Sequence, residues 1–276
     1  MNSSKRNDYI LPSIVYVYDE PSSPSFRIGE IADSLKEKLP NVDVRTRKEF
    51  FSFHTYDVEK LAKELASAKV RGIEGLQVKE EPLYGEVQYE KRVLQEPHRR
   101  MMGILYDGYK MLRVFRGVLP ENEATTDIAH IAFTNRIICT YEKGDNRFHA
   151  RVIMCGFPSL ISTSGLIEAP AKPREYYLMK QKYAATDSEP PAEELKAAFE
   201  GRFIDYDDEN TTQALKGYTL QSIFYHTTGE PFCEDKNCIL FNAHWQEEVL
   251  NAQIVSGRLC ERHEQILENM AKERRE

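Results

Sequence analysis

Two short segments near the C-terminus carry the clearest chemistry of this chain: HTTGEPFCEDKNCIL, residues 226–240, and CERH, residues 260–263. The first contains a C-x4-C pair and the second a C-x2-H pair. Each pair fits one tight turn, and two such turns supply the four sulfur and nitrogen donors that tetrahedral zinc prefers. The spacing therefore predicts a structural zinc site, formed by Cys233, Cys238, Cys260 and His263.

The alternative interpretation is that these cysteines are ordinary buried thiols. Cys139 and Cys155 lie in apolar, strand-like runs, and for these two we expect that simpler role. The C-x4-C pair instead encloses the polar residues EDKN, which are poor surroundings for an unliganded buried thiol. The identity of the fourth ligand stays open, because His244 could take the place of His263.

The same segments resemble the archaemetzincins, zinc peptidases whose signature reads HExxHxxGxxHC, then C-x4-C-x-M, then C-x2-C. In that family the cysteines hold a structural zinc and the histidines hold a catalytic zinc. The resemblance covers roughly residues 127–263. It places Cys233, Cys238 and Cys260 at the structural-zinc positions, with His263 in place of the fourth cysteine.

The catalytic half of the signature is mostly absent. With His226 as the second histidine of HExxH, Ser222 replaces the first histidine, Ile223 replaces the glutamate and Phe232 replaces the third histidine. A catalytic zinc needs about three protein ligands and a carboxylate that takes the proton from its bound water. The resemblance thus implies the fold and a structural zinc, and it argues against the usual peptidase mechanism.

Composition restricts the partners of the chain. Its 276 residues are 41% hydrophobic and 29% charged, which is typical of a globular protein, and the net charge of −7 argues against nucleic acid as a partner. No apolar run approaches the ~18 residues of a membrane helix, and the polar start lacks the core of a signal peptide. Five cysteines, three of them grouped for a metal, fit a reducing compartment. We therefore expect a cytoplasmic protein that does not enter a membrane.

Hydrophobic patterning predicts an α/β fold of the α+β, zincin-like kind: a mixed β-sheet flanked by helices, with a C-terminal zinc-knuckle subdomain. The apolar run 14–18 indicates a buried strand, and residues 27–39 have helical spacing. Val42, Val44 and Phe50 then indicate a second strand, parallel to the first.

Similar patterns predict the elements that follow. We expect Asp57 to cap a helix, the runs 130–140 and 149–157 to form one strand each, and Thr211 or Thr212 to cap the helix that carries His226. The predicted domain limits are a disordered N-terminus at 1–12, a single zincin-like domain at 13–263 with an insertion around 70–118 and a zinc-binding part at 226–263, and a charged helix at 264–276.

Three functions fit this sequence. The first, which we favour, is an archaemetzincin-like zinc-binding protein without the usual active site, whose cleft binds a peptide or protein. The second is a divergent metallopeptidase that uses His226, His244 and either Glu247 or Glu248. The third is a zinc-stabilised protein-interaction module. The sequence contains no signal for oligomeric state.

Overall fold

The computed structural model describes residues 11–72, 81–101 and 103–273. The predicted disordered N-terminus lies outside the described residues as far as residue 10, and so do residues 73–80 of the predicted insertion and 274–276 of the predicted C-terminal helix. The strands, in chain order, are β1 (Ile14–Tyr18), β2 (Asp43–Arg47), β3 (Leu105–Asp107), β4 (Ile128–Thr134), β5 (Ile137–Glu142), β6 (Arg147–Arg151), β7 (Ile153–Met154) and β8 (Ser159–Ser162).

Helices surround these strands. In chain order they are α1 (Ile28–Lys38), α2 (Phe50–Phe53), α3 (Val58–Ala68), α4 (Tyr84–Gln95), α5 (Gly108–Val118), α6 (Thr163–Glu168), α7 (Arg174–Ala184), α8 (Ala192–Phe199), α9 (Thr211–Thr228), α10 (Gln246–Val249) and α11 (Glu261–Glu273). A 3-10 turn covers Glu121–Glu123, and a π-helical segment, Leu250–Ser256, continues α10. In the ranges that the structure describes, no helix combines the length and the apolar character that a membrane crossing requires.

The strands form two sheets. The larger has the order β2-β1-β4-β8-β7, with the first four strands parallel and β7 antiparallel at the edge. The smaller has the order β3-β5-β6, so the predicted insertion contributes a strand, β3, to it. The predicted mixed sheet flanked by helices is confirmed, and so is the parallel pairing of the first two strands.

The apolar core lies on both faces of the larger sheet. Side chains alternate along β1, so Val15 and Val17 face one cluster and Tyr16 and Tyr18 face the other. The first cluster includes residues of α1 and α9, and the second includes residues of α3 and α5. A strand that is covered on both faces is hydrophobic throughout, which explains the uninterrupted run IVYVY.

The prediction that Phe50 extends the second strand is wrong. Glu49 accepts a hydrogen bond from the Ser52 amide at 2.7 Å and starts the short helix α2 at Phe50. The Phe50 ring then lies 4.8 Å from the ring of Tyr18 and 4.6 Å from that of Phe115. A local cap and a core contact together outweigh the strand preference of an aromatic residue.

The run 130–140 forms two strands instead of the one predicted. The chain turns after Thr134, whose hydroxyl oxygen accepts from the Arg136 amide at 3.3 Å, and β4 and β5 join different sheets. The Asn135 side chain fixes this turn by donating to the Arg99 carbonyl at 2.8 Å. Apolar periodicity cannot show such a break, because both strands are hydrophobic.

Helix caps are confirmed at one predicted position and not at another. Asp57 accepts from the Lys60 amide at 3.0 Å and caps α3, as expected. The prediction for α9 is wrong, because the helix follows Asn210 without a side-chain cap. The Thr212 hydroxyl donates to the Ser25 carbonyl at 2.6 Å instead, and it ties α9 to the loop before α1.

Candidate metal centre

Four side chains converge beside the C-terminal end of α9. Their ligand atoms, one from each of Cys233, Cys238, Cys260 and His263, all lie within 4.8 Å of one another. The sulfur atoms of Cys233 and Cys260 are 3.9 Å apart, and the His263 Nδ1 lies 3.9 Å from the Cys238 sulfur and 3.1 Å from the Cys260 sulfur. The structure thus brings the four residues predicted from sequence together in one cluster.

These distances fit a zinc ion. Zinc bonds thiolate sulfur at about 2.3 Å, so two thiolates on a tetrahedral ion lie about 3.8 Å apart. The separation of 3.9 Å between the sulfur atoms of Cys233 and Cys260 matches that edge. Three thiols and one imidazole are also the donor types that structural zinc prefers. The four residues could therefore hold a zinc ion with little rearrangement.

The C-x4-C turn is shaped by its own polar residues. Asp235 accepts from the Asn237 amide through its carboxylate, at 2.9 Å, and from the Cys238 amide through its carbonyl, at 3.0 Å. The Asp235 amide in turn points at the Cys233 sulfur, 3.4 Å away. A hydrogen bond of that kind stabilises a thiolate, so EDKN builds the turn and also prepares one ligand for a metal.

The second pair uses the start of a helix. Cys260 directly precedes α11, and His263 lies in its first turn, with the His263 amide donating to the Cys260 carbonyl at 2.9 Å. Residues three apart share a helix face, so both side chains point to the same cluster. The His263 ring, only 3% exposed, packs edge-on against the Phe224 ring of α9 at 5.3 Å. This contact fixes the imidazole orientation.

Burial controls the protonation of the ligands. It raises the pKa of the Cys238 thiol to about 12 and raises the pKa of the Cys233 thiol as well. It lowers the pKa of His263, which favours the neutral imidazole that binds metals. A metal must therefore displace protons from the thiols, as zinc does in cysteine-rich sites.

His244 lies outside this cluster. Its backbone amide donates to the Glu248 carboxylate at 2.9 Å, and the Trp245 amide does so at 3.2 Å, so Glu248 caps α10. His263 rather than His244 accompanies the three cysteines. Sequence spacing alone left this choice open, and packing of α11 against α9 resolves it.

The residues proposed for a divergent catalytic site are engaged elsewhere. The His226 Nε2 lies 2.7 Å from the Thr126 carbonyl, and the ring packs against that of Phe157 with the centroids 5.1 Å apart. Glu247 pairs with Arg202 at 2.6 Å. Among the residues that the structure describes, no metal-ligand group of three or more contains His226, His244 or Glu248.

The positions that correspond to HExxH are part of the apolar interior. Ser222 is 2% exposed and donates to the Tyr218 carbonyl at 3.3 Å, and Ile223 is fully buried in the core. Neither side chain can bind zinc or take a proton from water. Gly229 caps the C-terminus of α9 with a positive φ of 77°, a conformation that suits glycine.

A second polar cluster, which the sequence analysis did not identify, surrounds the hydroxyl of Tyr18 in β1. The buried Tyr18 hydroxyl accepts from Arg47 at 2.8 Å and lies 2.9 Å from the His130 Nδ1 and 3.0 Å from the His54 Nε2. The other ring nitrogen of His130 donates to the Glu123 carbonyl at 3.0 Å. Burial lowers the pKa of His130 to about 4, so the ring is neutral near pH 7. Because its Nε2 carries the proton that is donated to Glu123, its Nδ1 accepts from the Tyr18 hydroxyl.

Acid should destabilise the protein through this histidine. Because the pKa of His130 is about 4 when folded and 6.5 as its ordinary value, the unfolded chain binds more protons between these values. The free energy of unfolding therefore falls as the pH drops from about 6.5 towards 4, by at most about 3 kcal/mol at 1.36 kcal/mol per pKa unit.

Urea unfolding at several pH values would measure this decrease in the free energy of unfolding. His130→Gln should flatten the pH dependence, whereas the control His98→Gln, at an exposed position, should leave it unchanged. The same pH dependence in both variants would contradict the attribution of the effect to His130.

Comparison with known proteins defines the class of this chain. Residues 11–270 match the family described as "Probable metallopeptidase family (DUF6775)", and the chain belongs to that family. The motif predicted a relationship to metallopeptidases, and the family match confirms that relationship. No curated protein matches the sequence.

One solved structure is similar to this fold. It is the crystal structure of archaemetzincin from Methanopyrus kandleri, with a TM-score of 0.45 and 12% sequence identity. The similarity covers 95% of this chain and 97% of that one.

Proposed function

We propose that this chain is a zinc-stabilised member of its metallopeptidase family that lacks the usual peptidase centre and acts in the cytoplasm as a binding protein. The observation that carries the proposal is the Cys3His cluster beside α9, together with the absence of ligands at the HExxH positions on that helix. Zinc in this cluster would join the C-x4-C turn to the start of α11, whose His263 packs against the Phe224 ring of α9. Its role is to hold the C-terminal part of the domain together.

The number and burial of the ligands support a structural role. A catalytic zinc keeps one coordination position open for water or substrate, whereas a structural zinc is closed by four protein ligands. The cluster supplies four, and two of them, Cys238 and His263, are 0% and 3% exposed. A zinc ion held by all four has no free position at which to activate water.

The ligand of such a protein would be a peptide or protein segment that enters its cleft. The family description supports a peptide-related role, and the net charge of −7 argues against nucleic acid. A working peptidase is the second candidate, because the family is described as one of metallopeptidases. Metal content and peptidase activity, measured together, separate the two.

We expect the purified protein to contain one tightly held zinc per chain. We also expect hydrolysis of unstructured peptides to stay at background with added zinc, because Ile223 stands where a general base would be needed. Elemental analysis and a peptide-cleavage assay test both points. Two tightly held metals per chain, or turnover that His226→Ala abolishes, would replace this proposal with the peptidase.

A further inference from the structure

Helix α7 buries none of its own side chains. All eleven of its residues, Arg174–Ala184, are at least partly exposed. On its inner side the Tyr176 ring lies 5.6 Å from the rings of Phe199 and of Phe203. A helix of this length is only marginally stable in water by itself, because most helices in proteins are stabilised by a face that packs on a neighbour. The outer side of α7 is therefore open to a partner.

That outer side carries two large apolar side chains. Arg174, Tyr177, Leu178 and Gln181 follow the i, i+3, i+4, i+7 spacing of a single helix face. Tyr177 is 43% exposed and Leu178 is 48% exposed. Apolar side chains that are exposed next to each other mark an interaction site more often than scattered single ones do.

Trp245, the only tryptophan of the chain, adjoins this helix face. Its side chain is 44% exposed, and its backbone forms a parallel bridge with Ala171. The next residue, Lys172, donates its backbone amide to the Tyr177 hydroxyl at 3.1 Å. Trp245 and Tyr177 therefore flank the same short segment. Tryptophan, tyrosine and arginine are the residues that contribute most to binding at protein interfaces.

The same region is positively charged, although the chain as a whole has a net charge of −7. Residues 172–182 contain one carboxylate, Glu175, and four cations: Lys172, Arg174, Lys180 and Lys182. Glu175 pairs with Arg202 at 3.2 Å, and none of the four cations forms a salt bridge within the part of the chain that the structure describes. Cations without a counter-charge beside exposed aromatic rings are complementary to an acidic partner.

We propose that this region binds an acidic segment of a protein partner that also carries apolar side chains. We call it the α7 surface, and it consists of Lys172, Arg174, Tyr177, Leu178, Lys180 and Trp245. The carboxylates of the partner pair with the three cations, and its apolar side chains cover the two aromatic rings and the leucine. An anionic membrane fits less well, because residues 187–194 contain four carboxylates that would repel a negatively charged lipid surface.

A short helical peptide of glutamate, alanine and leucine is the probe for the α7 surface, and its analogue with glutamine in place of glutamate is the reference. The glutamate peptide should change the fluorescence of Trp245 saturably. It should also slow the hydrogen exchange of the α7 amides, because binding stabilises a helix that buries none of its own side chains. The glutamine analogue should bind about tenfold more weakly or worse, and added salt should weaken only the binding of the glutamate peptide.

Two variants test the residues. Tyr177→Ala should weaken binding of the glutamate peptide about tenfold, as expected for an aromatic residue at the centre of an interface, and Arg174→Glu should weaken it about as much. The matched controls are Tyr109→Ala and Arg113→Glu, which change exposed residues of the same types on α5. Both controls should bind the peptide like the wild type.

If Tyr177→Ala does not fold, Arg174→Glu and the exchange of the α7 amides decide. The proposal is overturned if the glutamine analogue binds as tightly as the glutamate peptide, or if the control variants weaken binding as much as Tyr177→Ala and Arg174→Glu do. It is also overturned if vesicles of phosphatidylserine and phosphatidylcholine bind at α7 and the peptide does not. None of these outcomes depends on zinc or on peptidase activity, so the function proposed above can fail independently.

Discussion

Cys238→Ser is expected to lower the free energy of unfolding of the zinc-loaded protein by about 4 kcal/mol or more, since loss of a metal site is among the largest single-residue effects. Structural zinc contributes about 10 kcal/mol in small metal-dependent folds, and a domain with its own core should lose only part of that. Cys238 is fully buried and cannot be replaced as a ligand by solvent. Thermal and urea unfolding, with and without a chelator, would measure the loss.

Two controls isolate the metal contribution. Cys139→Ser removes a fully buried thiol in β5, outside the cluster, and its effect should not change with chelator. His226→Ala should cost about 1 kcal/mol, like an ordinary substitution, and should retain zinc. In chelator, the wild type and Cys238→Ser should unfold at similar temperatures. A His226→Ala variant that releases zinc, beside a Cys238→Ser variant that keeps it, would place the metal on other residues.

Glu90→Gln is expected to lower the free energy of unfolding by about 3–5 kcal/mol, because removing one member of a buried ion pair leaves uncompensated charge. Glu90 is fully buried on α4 and accepts from Lys69 at 2.8 Å, from Tyr106 at 2.8 Å and from Arg136 at 3.2 Å. These three partners hold its pKa below the ordinary range although burial opposes that shift. The variant would leave Lys69 and Arg136 buried without the carboxylate that they share. Urea unfolding near pH 7 would measure the cost.

The matched control is Glu59→Gln. Glu59 of α3 pairs with Lys91 of α4, much as Glu90 of α4 pairs with Lys69 just after α3, but the Glu59 side chain is 68% exposed. An exposed pair contributes at most about 1 kcal/mol. Adding Lys69→Met to Glu90→Gln should recover part of the stability, because it removes one of the two cations that lose this carboxylate. A Glu90→Gln variant as stable as Glu59→Gln would show that the buried charges are compensated by other means.

The elements that could be predicted from sequence depend on neighbours in the chain. The run 14–18 is hydrophobic throughout because its strand is covered on both faces, and Asp57 caps α3 through an amide three residues away. The C-x4-C and C-x2-H pairs belong to the same class, because one turn sets the positions of both members. The family relationship was also visible there, in a motif of short spacing.

Contacts between distant parts of the chain could not be predicted in this way. His263 rather than His244 joins the cluster because of the way α11 packs against α9. The break after Thr134 depends on the side-chain amide of Asn135, which donates to the Arg99 carbonyl. Charge patterning treats Glu90 and Arg136 as ordinary surface residues, although both are buried and paired. The physical reason is that hydrogen-bonded turns and periodic burial depend on residues close together in the sequence. The pairing of buried charges depends on which surfaces meet when the chain folds.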